Sequence, residues 1–197
     1  MPERQSAIAY ALAKGGHDGP DGHRALKLGA VKGGSLIQLA AFASTLGQLE
    51  QAAAPLIGAA LPAKPGVVTV AGTRRLLKIG PEQFWILGPD ADDLAAKLQA
   101  GIDPGVGVVT PLSHSRTRIT IEGALARDLL AKGIPLDLHP DVFREGHFAQ
   151  TGLHHTPVLL LRSGPNRYEI LAMRTFALSV WDWLTDAAMP WGYDVTT

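Results

Sequence analysis

The strongest constraint on this chain is the shortness of the links between its strand-like runs. Val67–Ala71 and Arg75–Ile79 are joined across Gly72-Thr73, and Pro157–Arg162 and Tyr168–Met173 across Ser163-Gly164-Pro165-Asn166. Such glycine-, proline- and asparagine-rich links are turn formers. A parallel crossover needs a dozen residues or more, so these runs pair as antiparallel hairpins. Further strands are predicted over Leu26–Val31, Ser35–Ala40, Gln83–Leu87, Val106–Thr110 and Phe148–Leu153. Arg116–Ile121 alternates polar and less polar residues at period two.

Helical periodicity is interleaved with these strands. Leu46, Leu49, Ala53, Leu56 and Ile57 recur on one face, behind a Thr45/Gln48 capping-box spacing, with Pro55 kinking the helix or marking its last turn. Asp90 is placed to cap a second helix, with Asp93 in its first turn and Leu94, Ala95, Leu98 and Ile102 inward. A third carries Leu125, Ala126, Leu129 and Leu130 and stops at Gly133, and a fourth runs from about Thr175 to Ala188. The expected fold is α+β: two small α/β halves with mainly antiparallel sheets and helices packed on one face. The expected division is an N-terminal arm over 1–24, halves over 25–104 and 105–190 parted at Asp103-Pro104-Gly105, and a tail over 191–197. For the arm, a mobile tail and a segment that folds onto a partner both fit its Gly-, Asp- and Pro-rich composition.

Composition narrows the function by exclusion. Eighteen basic and eighteen acidic residues cancel, which disfavours nucleic acid and anionic lipid as partners and leaves protein partners open. With no cysteine, thiolate nucleophiles, disulfides, cysteine-ligated zinc and iron–sulfur clusters are out of reach. No apolar stretch approaches a membrane span, and the start lacks a convincing cleavage site, so a soluble, cytoplasmic protein is expected. There is no Gly-x-Ser-x-Gly elbow and no phosphate-cradling loop, and Gly33-Gly34 and Gly105-Val106-Gly107 are turn glycines rather than dinucleotide fingerprints. His154 and His155, if on a strand, point to opposite faces and cannot easily share a metal.

Two features could serve a partner. Arg116 and Arg118, two apart on one strand face, could hold an acidic side chain bidentately; equally, they could belong to a solvated face with loosely paired charges. On the last helix, Trp183, Phe176, Ala187, Val180, Leu184, Ala177, Ala188 and Trp181 fill one apolar arc, and Trp191 and Tyr193 follow beyond its end. These aromatics are either core or anchors of an interface. The candidate partner-contact residues are thus Arg116, Arg118, Trp183, Trp191 and Tyr193; no catalytic, cofactor-binding or metal-binding residue is assigned.

An ordered series of segments resembles one family. It begins with Gly80-Pro81-Glu82-Gln83-Phe84-Trp85, continues with Pro111–Thr117, Gly123, Ala126–Gly133 and Pro135-Leu136-Asp137-Leu138-His139-Pro140, and passes through Ala149-Gln150-Thr151 and Pro157–Leu160. It ends with Arg174-Thr175-Phe176-Ala177 and Trp181-Asp182-Trp183-Leu184. Together these resemble the gamma-subunit family of heterotetrameric sarcosine oxidase over roughly residues 60–188, with Ala124 and Phe148 standing where that family often has Pro and Cys. The resemblance implies a fold related to the folate-binding region of the glycine-cleavage aminomethyltransferase. It implies a subunit of an oxidoreductase complex without its own active site, beside larger alpha and beta subunits. Those would hold FAD, FMN and NAD, oxidise sarcosine to glycine with peroxide formation, and pass the one-carbon unit to tetrahydrofolate. Two alternatives remain: a small stand-alone folate-binding one-carbon-transfer protein, and a gamma-like subunit of another secondary-amine oxidase or dehydrogenase.

Overall fold

The computed structural model describes residues 6–89 and 93–196. In chain order the elements are α1 (Ala9–Leu12), β1 (Leu26–Ala30), β2 (Ser35–Ala41), α2 (Leu46–Ile57), β3 (Thr69–Ala71), β4 (Arg74–Gly80) and β5 (Gln83–Gly88). There follow α3 (Leu94–Gly101), β6 (Gly107–Pro111), β7 (Arg116–Glu122), α4 (Ala126–Ala131), β8 (Phe148–Leu153), β9 (Thr156–Gly164), β10 (Arg167–Met173), α5 (Ala177–Ala188) and β11 (Tyr193–Thr196). Short 3-10 turns, Arg174–Phe176 and Met189–Trp191, bracket α5.

The chain divides into two compact units, and the division is not the expected one. One unit is Gly33–Ser113; the other joins the chain up to Lys32 to the chain from His114 onward. The boundary expected at Asp103–Gly105 fails because β6 returns to pair antiparallel with β2, Leu39 opposite Val109. The 33–113 unit therefore has the strand order β3-β4-β5-β2-β6, and the other unit has β11-β1-β7-β10-β9-β8. Read from one edge, β8-β9-β10-β7-β1 repeats β3-β4-β5-β2-β6, with helices at matching points of the chain. The repeat is topological: β6 follows its own unit's last helix, whereas its counterpart β1 comes from near the N-terminus. The expected α+β class holds, and both sheets are antiparallel except where β1 meets β11.

In the 33–113 unit, Ile37, Leu39, Leu76, Phe84 and Ile86 alternate onto the face that α2 and α3 cover through Leu49, Ala53 and Leu98. Thr45 stands at the start of α2, but its hydroxyl makes no cap: it donates to Val106 O at 2.6 Å. Pro55 lies in the last turn, and the helix stops at Gly58 in the left-handed region. For α3, the expected Asp90 cap lies outside the described residues; Asp93 is the residue before the helix and pairs with Lys97 at 2.9 Å.

In the other unit, Ile119, Ile121, Tyr168, Ile170 and Leu160 face α4 and α5. The arm expected outside the core is partly inside it: Ile8, Ala11 and Leu12 are buried in this same cluster. The loop behind them and the supposed tail are also tied down. His17 exchanges backbone hydrogen bonds with Tyr193 (2.9 and 2.8 Å), Ala25 N–H donates to Trp191 O at 3.0 Å, and β11 runs parallel to β1. Gly192, at φ 67°, lets this happen, since a side chain there would strike the His23 carbonyl. Buried Arg162 fixes a further loop by donating to the carbonyls of Phe143 (2.7 Å) and Pro165 (2.8 Å).

Candidate functional site

All five candidate residues belong to the unit built on β7 and β10, yet they do not form one patch. Period-two alternation turns Ile119 and Ile121 to the helices and puts Arg116 and Arg118 on the opposite face. Arg118 donates from Nη2 to Glu169 Oε2 on β10 at 2.9 Å, both side chains largely buried. The face expected to be solvated with loose charges is instead the setting of a buried ion pair, because β10 places a carboxylate diagonally across from the guanidinium. Arg118 is thereby committed within the sheet.

Arg116 is half-buried and donates to the carbonyl of Ser115 at 3.2 Å and more weakly to its hydroxyl. Burial pushes its guanidinium pKa down, the sign of a cation held where hydration is thin. Its cross-strand neighbour on β10 is Met173, so the two side chains share a face.

The two tryptophans meet the end of α4. Trp183 packs partly buried against the core, its ring so close over Gly133 that a β-carbon there would collide with it. Trp191 lies under Lys132, whose Nζ is 3.8 Å from the ring centroid and also donates to Ala187 O at 2.7 Å, capping the C-terminal end of α5. Tyr193 is buried on β11, its ring stacked 6.2 Å from that of His17, and burial raises its phenol pKa. Of the two readings open for these aromatics, intramolecular packing describes most of their surface.

The helical arc expected for α5 is right at its centre and wrong at one edge. Ala177, Val180, Trp181, Leu184 and Ala188 are buried, but Phe176 is 43 % exposed. It sits in the 3-10 turn before α5 begins, so the 100° phase of the helix does not extend to it. Leu178, on the polar side of the arc, and Met173, at the end of β10, are also exposed. Sequence reasoning did not single these three out as a group, although the period-two phase of β10 already turns Met173 away from the helices.

Two other features are structural. His154 and His155 form the turn between β8 and β9 rather than part of a strand, with His154 at φ 52° and the rings 4.0 Å apart. Arg24 bridges Asp18 (2.6 Å) and Asp194 (2.9 Å), and this guanidinium holds the Asp18 carboxyl below its ordinary range. Among the described residues no group of three or more His, Asp or Glu could hold a metal ion, and no helix is long and apolar enough to cross a membrane.

This architecture and its sequence have known counterparts. The fold is that of aminomethyltransferase T of the glycine cleavage system from Bartonella henselae, with a TM-score of 0.67 at 14 % identity over 98 % of this chain and 59 % of the other. A chain of the heterotetrameric sarcosine oxidase from Corynebacterium sp. U-96 matches with a TM-score of 0.85 at 30 % identity, covering 95 % of this chain and 96 % of that one. The sarcosine oxidase subunit gamma of Corynebacterium sp. (strain P-1) is 37 % identical over 138 residues, which is 69 % of this chain and 68 % of that protein. Residues 41–190 fit the model of the family described as "Sarcosine oxidase, gamma subunit family". On these grounds the chain belongs to the sarcosine oxidase gamma subunit family.

Proposed function

We propose that this chain is the gamma subunit of a heterotetrameric sarcosine oxidase in the cytoplasm, and that its work there is to bind and stabilise larger alpha and beta subunits. The observation that carries the reading is the near-complete match, over 95 % of this chain and 96 % of the other, to a chain of such a heterotetramer. The chemistry of the residues supports a non-catalytic role. Several charged groups serve the fold: Arg118 pairs with Glu169, Arg162 donates to backbone carbonyls, and Arg24 bridges two aspartates. In this proposal FAD, FMN, NAD and tetrahydrofolate are held by the partner subunits, which oxidise sarcosine and capture the one-carbon unit, and this chain holds none of them.

The test is co-purification. A tagged chain expressed with the other subunits of its oxidase is expected to recover them as a flavin-coloured complex that releases peroxide on addition of sarcosine. The chain expressed alone is expected to be folded, colourless and inactive. A chain that stays alone in the presence of those subunits and retains tetrahydrofolate overturns the proposal in favour of a small one-carbon-transfer protein of the aminomethyltransferase fold.

A further inference from the structure

We infer that Met173 and Met189 are oxidation sites of this chain: surface thioethers that take oxygen from hydrogen peroxide to give methionine sulfoxide, at positions where the change leaves the fold intact. The inference rests on the oxidase role proposed above for the source of the peroxide, and adds to it where that product acts on this subunit. The sulfur of the chain is confined to three methionines, since there is no cysteine. Met1 lies outside the described residues. Met173 is 40 % and Met189 44 % exposed. Methionine is among the residue types most often buried, and its flexible thioether is a common filler of core gaps. Here neither core holds one: the buried apolar side chains among the described residues are Leu, Ile, Val, Ala, Phe, Trp and Tyr.

The reaction needs only a sulfur lone pair and a peroxide that can reach it. The thioether sulfur attacks one peroxide oxygen and the O–O bond breaks. That oxygen stays on sulfur, and the other leaves as water. Sulfur gives up an electron pair and the peroxide gains it, so the step balances without a further reactant. Methionine sulfoxide reductases return the thioether, one enzyme for each sulfoxide epimer.

Placement decides what the added oxygen costs. A sulfoxide is polar and disrupts a core, but both of these side chains are already exposed to solvent. Met173 closes β10, its backbone opposite Arg116 of β7, and the next residue, Arg174, donates its N–H to Ser115 O at 2.9 Å. Ala172, just before it, is turned to the helices, so alternation carries the Met173 side chain to the opposite face. Met189 opens the 3-10 turn that ends α5, where its carbonyl accepts Gly192 N–H at 3.3 Å and Pro190 restricts the backbone. At both places these are main-chain bonds, and oxidation at the end of a side chain does not break them.

The experiment takes the complex assembled by co-expression and treats it with reagent hydrogen peroxide in one arm and with sarcosine in the other, each with and without catalase. Peptide mass spectrometry reads the sulfoxide. In both arms the peptides carrying Met173 and Met189 are expected to gain one oxygen each, and catalase to abolish the gain. The thermal unfolding midpoint of the chain treated with peroxide is expected to match that of the untreated chain. Met173→Leu/Met189→Leu, a substitution close to volume-conserving, serves as the control that keeps every other residue open to peroxide. Thioethers that survive reagent peroxide at both positions overturn the sites. A clear fall in the midpoint of oxidised wild type, absent from the double variant treated alike, overturns their harmless placement. Sulfoxide from reagent peroxide but none during turnover that releases peroxide overturns the complex as its source and leaves the subunit role standing. If no peroxide-releasing complex forms, the subunit role falls, and the source of the oxidant with it.

Discussion

Arg118 and Glu169 sit on neighbouring strands, β7 and β10, and meet on a diagonal, Nη2 to Oε2 at 2.9 Å, with side chains only 15 % and 7 % exposed. Ion pairs buried to this degree owe little to their net attraction, because desolvating both charges offsets most of it. What they enforce is pairing: either charge alone is costly.

Glu169→Leu should therefore destabilise the chain, by about 3 kcal/mol, since it removes the carboxylate that faces a largely buried guanidinium. Arg118→Met/Glu169→Leu should recover much of that loss. Urea-unfolding midpoints of the three variants decide the matter. A double variant no more stable than the single one would mean that Arg118 is held by its other surroundings rather than by this carboxylate.

Gly133 and Trp183 form a second coupled pair. The ring occupies the space that a side chain at 133 needs, so Gly133→Ala should cost about 1–3 kcal/mol through overpacking. It should also alter the near-ultraviolet tryptophan signal. The penalty should shrink in a Trp183→Leu background, where the ring is gone; residues in contact are non-additive in this way. Equal penalties in both backgrounds would place the strain elsewhere.

The Arg24 bridge makes one end of the chain sensitive to acid. Arg24 lowers the Asp18 carboxyl pKa below its ordinary value of 3.8. A carboxyl whose folded pKa is depressed contributes stability above the unfolded value, and that contribution disappears as pH falls through the folded one. The His17–Arg24 loop should thus stay docked through mildly acidic conditions and loosen below the usual carboxylate range. Amide chemical shifts and heteronuclear relaxation across His17–Arg24, followed downward from neutral pH, report this directly. Arg24→Gln should remove this acid dependence and leave the loop looser at neutral pH; an unchanged profile would show that the backbone bonds to Tyr193 suffice without the bridge.

What could be read from the sequence was local. The β9–β10 hairpin shows itself because Ser163–Asn166 is a strong turn between two apolar runs, and α2 because Leu49, Ala53 and Ile57 share a face. The ordered motifs, from Gly80–Trp85 to Trp181–Leu184, pointed to the family and its fold. Features that depend on distant partners stayed hidden. β11 is four residues long and pairs with β1 at the far end of the sequence, Tyr193 beside Leu26, so nothing near it announces a strand. For the same reason the first 24 residues looked like an arm: α1 is a single turn whose Ile8, Ala11 and Leu12 are buried only because a sheet assembled from later residues lies beneath them. Among the candidate site residues, the face of Arg118 could be read from period two, but Glu169 could not, since the β7–β10 register decides it.

The joining of the two ends gives the last expectation. Tyr193 is bracketed by His17 on one side and Leu26 on the other, and Asp194 shares Arg24 with Asp18. Removing the chain from Tyr193 onward deletes two backbone hydrogen bonds to His17 and one arm of the Arg24 bridge. It also leaves β1 as a raw sheet edge. The truncated chain should lose amide protection over His17–Ala30, far away in sequence, while β2–β6 in the Gly33–Ser113 unit keep theirs, because local stability follows local contacts. Hydrogen exchange read by mass spectrometry resolves both regions in one experiment. If His17–Arg24 stayed protected after the truncation, the N-terminal loop would be held by its own Gly19–His23 turn, and the C-terminal strand would be docked on the loop rather than holding it in place.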